Sequence, residues 1–392
     1  MSRRQTGLPV AAILGAWLLL AVATPPASAQ LAGKEIHIGI GGPLTTSSAS
    51  FGVEMRQAVE LAVDEKNAKG GILGAKITAL AVDDEASNAK GEAVAKGFCD
   101  DPAMLGVIGH VNSGVSIAAS SIYAGCALPM ITPMSSNPAV TDRGLPGIFR
   151  LTGRDDRKAP GLAAYLRKTM GKRRAVVVDD QTPYGKGLAD LFAQAFAEKG
   201  GAVVARRNIK VGDTDFSASV AGLPKDFDVL FFGGIREAAY ILKEMRKQGL
   251  RQLFTCGDGC WDVKGFILAS EGAATKGEGV RVLSAAPALG KVPGSAAFAK
   301  TYAAKYGPIN NYAANDYDSA RVLLAAIEAA AKAKKAMPGR ADVLAALKGI
   351  KFQGIAYAKP IEWKANGDNK AAVIFINVVE GDRFKEVATI GE

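Results

Sequence analysis

Short apolar strands and helices alternate regularly along this chain, and the alternation leaves few folds open to it. The first run of predicted elements is Ile36–Ile40, a helix over 52–68, Ile77–Val82, a helix over 89–99, Met104–Gly109, a helix over 113–125 and Leu128–Ile131. Strands separated by helices lie parallel in one sheet and are joined by right-handed crossovers. The sequence therefore predicts an α/β unit in which helices flank a parallel sheet.

A second α/β unit follows a loop that contains Asn137-Pro138. Its predicted elements are a helix over 160–170, Ala175–Asp179, a helix over 187–199, Ala202–Arg206, a helix over 216–223, Val229–Phe232, a helix over 237–248 and Leu253–Cys256. The rest of the chain predicts a strand over 279–286, helices over 296–305, 316–332 and 340–347, and strands over 355–363, 373–379 and 384–389. A chain of 392 residues is long enough for two such lobes.

The first 29 residues have the pattern of a secretory signal peptide. Arg3 and Arg4 precede an apolar run over 10–22, and Ala27-Ser28-Ala29 is typical of a cleavage site. The apolar run is too short for a membrane span, which needs about 20 residues. We therefore expect residues 1–29 to be removed near Ala29 and the mature chain to be exported.

The chain is basic, with a formal net charge of +10. Its basic residues are scattered over short segments such as 168–174, 206–210 and 243–251, without interleaved aromatic residues. Scattered charges of this kind are typical of solvated helix faces, whereas a nucleic-acid surface gathers them on one stripe. We expect no nucleic-acid partner.

The four cysteines, Cys99, Cys126, Cys256 and Cys260, favour disulfide bonds in an exported chain. Four cysteines allow three pairings. Cys99–Cys126 is favoured because these residues end successive helices that a parallel sheet lays side by side, and Cys256–Cys260 because they enclose only three residues. Zinc binding is the competing interpretation, but His37 and His110, the only histidines, are not at ligand spacing from a cysteine. We expect no metal.

The junction between Met104–Gly109 and the following helix has the features of an anion site. Ser113 is a good N-cap, and the amides of residues 114–116 would lack partners inside the helix. These amides and the helix dipole favour a carboxylate. A second polar strand end, Met134-Ser135-Ser136, follows the next strand. Because carboxyl ends of parallel strands meet at one edge of a sheet, we expect both ends to face one crevice.

Enzyme chemistry and nucleotide binding lack their usual motifs in this sequence. No G-x-S-x-G turn is present, and the two histidines offer few bases for a nucleophile. Gly39-Ile40-Gly41-Gly42 lacks the third glycine of a dinucleotide-binding turn, and no G-x-x-x-x-G-K-[ST] motif occurs. We therefore expect a protein without a catalytic residue or a cofactor.

Fragments along the whole mature chain resemble those of one family. They are Asn67–Gly74, Asp83-Asp84, Val107–His110 with Ser113, Pro129–Pro133, Asp180–Leu188, Asp215-Phe216, Phe232–Gly234 and Ala314–Ala320. Their order and spacing resemble the periplasmic branched-chain amino-acid-binding proteins of ABC transporters, typified by the leucine/isoleucine/valine-binding protein. The resemblance implies two similar lobes of parallel sheet with flanking helices and a ligand cleft between them.

The resemblance also implies the lobe boundaries and the roles of individual residues. It predicts one lobe from 30–153 with 287–360 and a second from 154–286 with 361–392, with the chain crossing near Gly153, Ala286 and Pro360. The ligand carboxylate would meet Ser113, Ser136 and the backbone of Met134. Asp258 would face the ligand ammonium, and Tyr184 would close over the ligand.

Three positions depart from the family pattern. Phe51 and Ile235 stand where the family type has tyrosine, and Asp258 stands where it has glutamate. The resemblance thus implies a periplasmic receptor that captures an amino acid, branched-chain or related, and delivers it to a membrane ABC permease, with the side-chain preference left open. The alternatives are a receptor for another small polar solute, such as an amide, urea or an aromatic acid, and a periplasmic sensory or hydrolytic module.

Overall fold

Two sheets with flanking helices make up the protein. The structure is a computed structural model and describes residues 1–2 and 30–391, so the predicted signal peptide falls almost entirely outside the described residues. No helix in those ranges combines the length and the apolar character that crossing a bilayer requires.

The first sheet has five parallel strands in the order β2-β1-β3-β4-β5. Its elements are β1 Glu35–Gly42, α1 Ala49–Ala68, β2 Lys76–Asp83, α2 Asn88–Asp100, β3 Met104–Gly109, α3 Ser113–Gly125, β4 Met130–Thr132, α4 Ala139–Asp142 and β5 Ile148–Arg150. The central strand β3 is buried along its whole length, because helices cover both faces of the sheet.

The second sheet has seven strands in the order β12-β11-β10-β9-β8-β6-β7. Its elements begin with α5 Asp155–Lys168, β6 Arg174–Asp179, α6 Pro183–Glu198, β7 Ala202–Asn208, α7 Ser217–Ala221, β8 Val229–Gly233, α8 Glu237–Lys247, β9 Leu253–Cys256 and β10 Val280–Ser284. These strands are parallel, whereas the C-terminal strands β11 Ile374–Glu380 and β12 Arg383–Ile390 form an antiparallel edge.

The chain then returns to the first sheet before it ends on the second. The helices α9 Ser295–Tyr306, α10 Ala313–Lys334 and α11 Arg340–Lys348 are followed by β11 Ile374–Glu380 and β12 Arg383–Ile390. Helix α10 packs on α1 and on β3, where Leu323 occupies the space that a side chain at Gly106 would need. The chain thus passes between the sheets after β5, after β10 and after α11. The exact lobe boundaries stay a prediction.

Most predicted strands and helices are present within a few residues of their predicted bounds, with the following differences. Helix α5 begins at Asp155 and contains Pro160, whereas the sequence predicted a helix that begins at Pro160. The strand expected over 355–363 forms only isolated bridges, because the carboxylate of Asp318 accepts the amides of Ile355 and Ala356 that a neighbouring strand would otherwise pair. The three-residue β5 was not predicted, since it is too short to show alternation.

Both favoured disulfides are formed. Cys99–Cys126 joins the ends of α2 and α3, and Cys256–Cys260 closes the turn after β9. The structure contains no free cysteine in the described residues, which include all four. The pairing therefore leaves no thiolate for the zinc interpretation.

Candidate ligand-binding site

A cavity of about 580 Å³ lies between the two sheets, at the carboxyl ends of their parallel strands. Loops after β1, β2, β3 and β4 form one wall, and loops after β6, β8 and β9 form the other. Crevices at this edge of parallel sheets are the usual ligand sites of α/β proteins, and the volume suits a small molecule.

The start of α3 lies on the cavity wall, although not in the form that the sequence predicted. Asn112 is the N-cap, and Ser113 is the first helical residue. The amide of Ser116 donates to the carbonyl of Asn112 at 3.0 Å, so it is not free. The amides of Gly114 and Val115 have no hydrogen-bond partner within the described chain. These free amides lie at the positive end of the helix dipole.

The start of α3 lies close to the second wall of the cavity. The hydroxyl oxygen of Ser113 accepts the amide of Asn137 at 3.3 Å and is otherwise available toward the cavity. A side chain at Gly114 would approach Pro183 to 3.0 Å. Glycine at this position thus leaves room for the opposite wall and for a ligand oxygen.

Of the two site residues predicted after β4, only one lines the cavity. Met134 lines the cavity. Ser136 is buried but is not among the lining residues, and its carbonyl accepts the amide of Asp155 at the start of α5. Its role in ligand binding remains a prediction. No local pattern marks this difference, because neighbouring residues of a loop point in different directions.

Asp258 lies on the opposite wall and already has three side-chain donors. Tyr184 donates to Oδ1 at 3.0 Å, while Lys158 and Tyr312 donate to Oδ2, each at 2.5 Å. Tyr184 also accepts the amide of Gly259 at 2.9 Å. Burial raises the pKa of both tyrosines well above the usual value, so their hydroxyls stay protonated and donate.

Two of these partners were missed by sequence reasoning. Lys158 is completely buried on α5, and it shares a helix face with Leu162 and Leu166. This four-residue spacing is the one sequence pattern from which the burial of Lys158 could have been predicted. Tyr312 precedes α10 and packs edge-on against Phe51 and Trp261, with ring centroids 6.0 and 5.3 Å away. No local pattern marks it, because it reaches the site from a distant part of the chain.

The remaining predicted residues line the cavity together with further acidic groups. Phe51 and Ile235 contribute apolar surface from opposite walls. Asp180 and Glu237 also line the cavity, and burial raises the pKa of Asp180 to about 6. Asp180 accepts the amide and the hydroxyl of Thr182 through Oδ1. Six of the seven predicted residues, all except Ser136, thus surround one cavity.

Hydrogen bonds cross the cleft at several points. Arg236 donates to the carbonyl of Ser47, and Ser50 donates to Asp262 at 3.0 Å. At the other edge, the amide side chain of Asn137 donates to the carbonyl of Pro183 at 2.7 Å. These bonds join loops of the first sheet to loops of the second, so the structure represents a closed form.

Residues 35–382 match the family described as periplasmic binding protein. The chain belongs to this family. Its members are binding proteins rather than enzymes, and the match confirms the resemblance seen in the sequence.

Three individual relatives extend this finding. The Leu/Ile/Val-binding protein BraC3 of Rhizobium johnstonii is 34% identical over 79% of this chain and 83% of its own length. The Leu/Ile/Val-binding protein homolog 2 of Brucella abortus is 40% identical, but the match spans only 57% of this chain and 61% of that protein. The substrate-binding protein LivJ of Streptococcus pneumoniae, solved in complex with isoleucine, superimposes with a TM-score of 0.81 at 26% identity, covering 91% of this chain and 100% of LivJ.

Proposed function

We propose that this protein is an exported solute receptor of an ABC importer, and that it captures an amino acid or a related small carboxylate between its two lobes. Family membership supports the receptor role. The names of its relatives, which bind leucine, isoleucine or valine, support a small carboxylate ligand and a transport system with a membrane permease. The signal-peptide pattern in residues 1–29 supports export to the periplasm.

The observation that carries this proposal is the pair of free amides at Gly114 and Val115, beside the Ser113 hydroxyl, on the wall of the cavity. A carboxylate satisfies all three donors at once and lies at the positive end of α3. Closure of the second wall over the ligand would exclude water, which strengthens these hydrogen bonds.

A receptor of this kind releases its ligand unchanged. Mass spectrometry of a bound ligand after long incubation should therefore return the starting compound. A chemically altered ligand would favour the hydrolytic alternative instead.

A thermal-shift screen of amino acids and small carboxylates tests the ligand class. A ligand present at 100 times its Kd stabilises the folded state by about 2.7 kcal/mol, which is readily seen as a higher Tm. We expect carboxylates to raise the Tm, and matched amides and alcohols of the same carbon skeleton to leave it unchanged. An equal response to the amides, or no response to any carboxylate, would contradict the proposal.

A further inference from the structure

The carboxylate of Asp258 has a cation of its own inside the protein. Lys158 Nζ lies 2.5 Å from Asp258 Oδ2, and both side chains are almost completely buried. Lys158 does not line the cavity, whereas Asp258 does. Asp258, which is predicted to face a ligand ammonium, thus already forms an ion pair with a lysine that lies outside the cavity.

Further charged side chains lie around this pair. Asp155, which lies 3.5 Å from Lys158, is the first residue of α5 and faces the positive end of that helix. Arg150, the other buried cation of this region, forms an ion pair with Asp368, which Arg154 also contacts. Lys158, Arg150 and the start of α5 thus lie beside Asp258, Asp368 and Asp155.

We propose that this receptor prefers small carboxylates without an ammonium group next to the carboxylate. Lys158 sets this preference because its ion pair with Asp258 leaves that carboxylate less able to bind a ligand ammonium. This inference rests on the proposed function and narrows its ligand class. Lys158 acts through Asp258 and does not touch the ligand.

Desolvation is the physical reason. An ammonium that enters a closed cavity loses its hydration, and only a net negative site compensates for that loss. The Lys158–Asp258 pair offers a dipole rather than a net charge. Its one remaining acceptor position, on Oδ1 beside Tyr184, suits a neutral donor such as a hydroxyl group or a water molecule. Beside Asp258, an ammonium is therefore disfavoured relative to the deaminated acid.

Calorimetric titration of matched ligand pairs tests this preference. The probes are L-leucine with 4-methylpentanoate and L-phenylalanine with 3-phenylpropanoate, which differ only in the ammonium group. We expect wild type to bind at least one acid about tenfold or more tightly than its amino acid, a readily resolved difference. Lys158→Met frees the Asp258 carboxylate, so the ratio should move by at least about tenfold toward the amino acid.

The double variant Lys158→Met with Asp258→Asn is the matched control. It replaces a neutral pair by neutral side chains, a change that buried ion pairs often tolerate. It should keep the wild-type ratio. If Lys158→Met alone does not fold, the wild-type and double-variant ratios still decide the question, because a selective loss of the amino acid in the double variant would identify Asp258 as an ammonium partner.

The outcomes separate this inference from the function on which it rests. Tighter binding of the amino acids by wild type would overturn the preference while supporting a carboxylate receptor; if Asp180→Asn then removed that preference, the ammonium partner would be Asp180. An unchanged ratio in folded Lys158→Met would overturn the role of Lys158. If no amino acid or acid of the larger screen binds, the proposed function itself is wrong.

Discussion

At the residue scale, Ser113 offers the simplest test of the carboxylate site. Ser113→Ala removes one hydroxyl donor but leaves the amides of Gly114 and Val115 in place. We expect ligand binding to weaken by about 1.5–3 kcal/mol, the usual range for one hydrogen bond to a charged group. Calorimetry with the tightest-binding carboxylate measures this loss.

Ser121→Ala is the matched control on the same helix. Ser121 is exposed, and its hydroxyl accepts from Arg143 at 3.1 Å rather than facing the cavity. This variant should bind like wild type. Equal losses in both variants would show that the effect comes from α3 as a whole and not from the Ser113 hydroxyl.

A second residue, Glu54 on α1, predicts how stability depends on pH. Its side chain is buried, and this burial, reinforced by Asp262, raises its pKa from 4.5 to about 8. Between these values the unfolded chain releases a proton that the folded chain retains, so this group lowers the free energy of unfolding progressively as pH rises from about 4.5 to 8. Below pH 4.5 it has no such effect.

Glu54→Gln should therefore stabilise the protein relative to wild type at pH 8, by roughly 2–4 kcal/mol, since each pKa unit corresponds to about 1.4 kcal/mol. The difference should vanish near pH 4. Urea unfolding at both pH values measures it. Glu60→Gln, at a half-exposed position of the same helix, should change stability by less than about 0.5 kcal/mol at either pH. If Glu54→Gln changed the free energy of unfolding equally at pH 4 and pH 8, the raised pKa of Glu54 would be contradicted.

Single residues also mark the limit of what the sequence predicted. Six predicted site residues line the cavity because strand ends and their following loops are readable from local patterns. The contacts of Asp258 with Lys158 and Tyr312 were not predicted, since they join residues 100 and 54 positions apart. Packing between distant elements decides such contacts, and no local pattern encodes it.

At the scale of elements, the strand and helix order was readable because each parallel strand is a short, continuous apolar run. The segment over 355–363 has the same apolar character but does not form a strand. It is apolar and buried at Ala356 and Tyr357, yet Asp318 supplies its hydrogen bonds. Apolar character thus predicted burial there but not a strand.

The disulfide between α2 and α3 gives a prediction at this scale. Cys99 and Cys126 are only half-buried, and they close a loop with a sequence separation of 27. Replacing both by alanine should lower the free energy of unfolding by about 2–4 kcal/mol, chiefly because the unfolded chain regains freedom. Urea unfolding measures the loss, and thiol titration of denatured wild type should find no free thiol. An unchanged unfolding midpoint would contradict this contribution.

At the scale of the whole molecule, the cleft is closed by contacts that an open form would lack. They include the bonds from Arg236 to Ser47, from Ser50 to Asp262 and from Asn137 to Pro183. Tyr312, which precedes the helix packed on the first sheet, also donates to Asp258 on the second wall. A ligand that contacts both walls binds the closed form better and shifts the population toward it.

Small-angle X-ray scattering of the mature protein, with and without a saturating carboxylate ligand, tests this central claim most directly. Saturation is established beforehand by calorimetry on the same sample, and an amide that does not bind serves as the control. The account predicts a smaller radius of gyration with the carboxylate and an unchanged one with the amide. An identical scattering profile for the free and the fully bound protein would contradict a receptor that closes on its ligand.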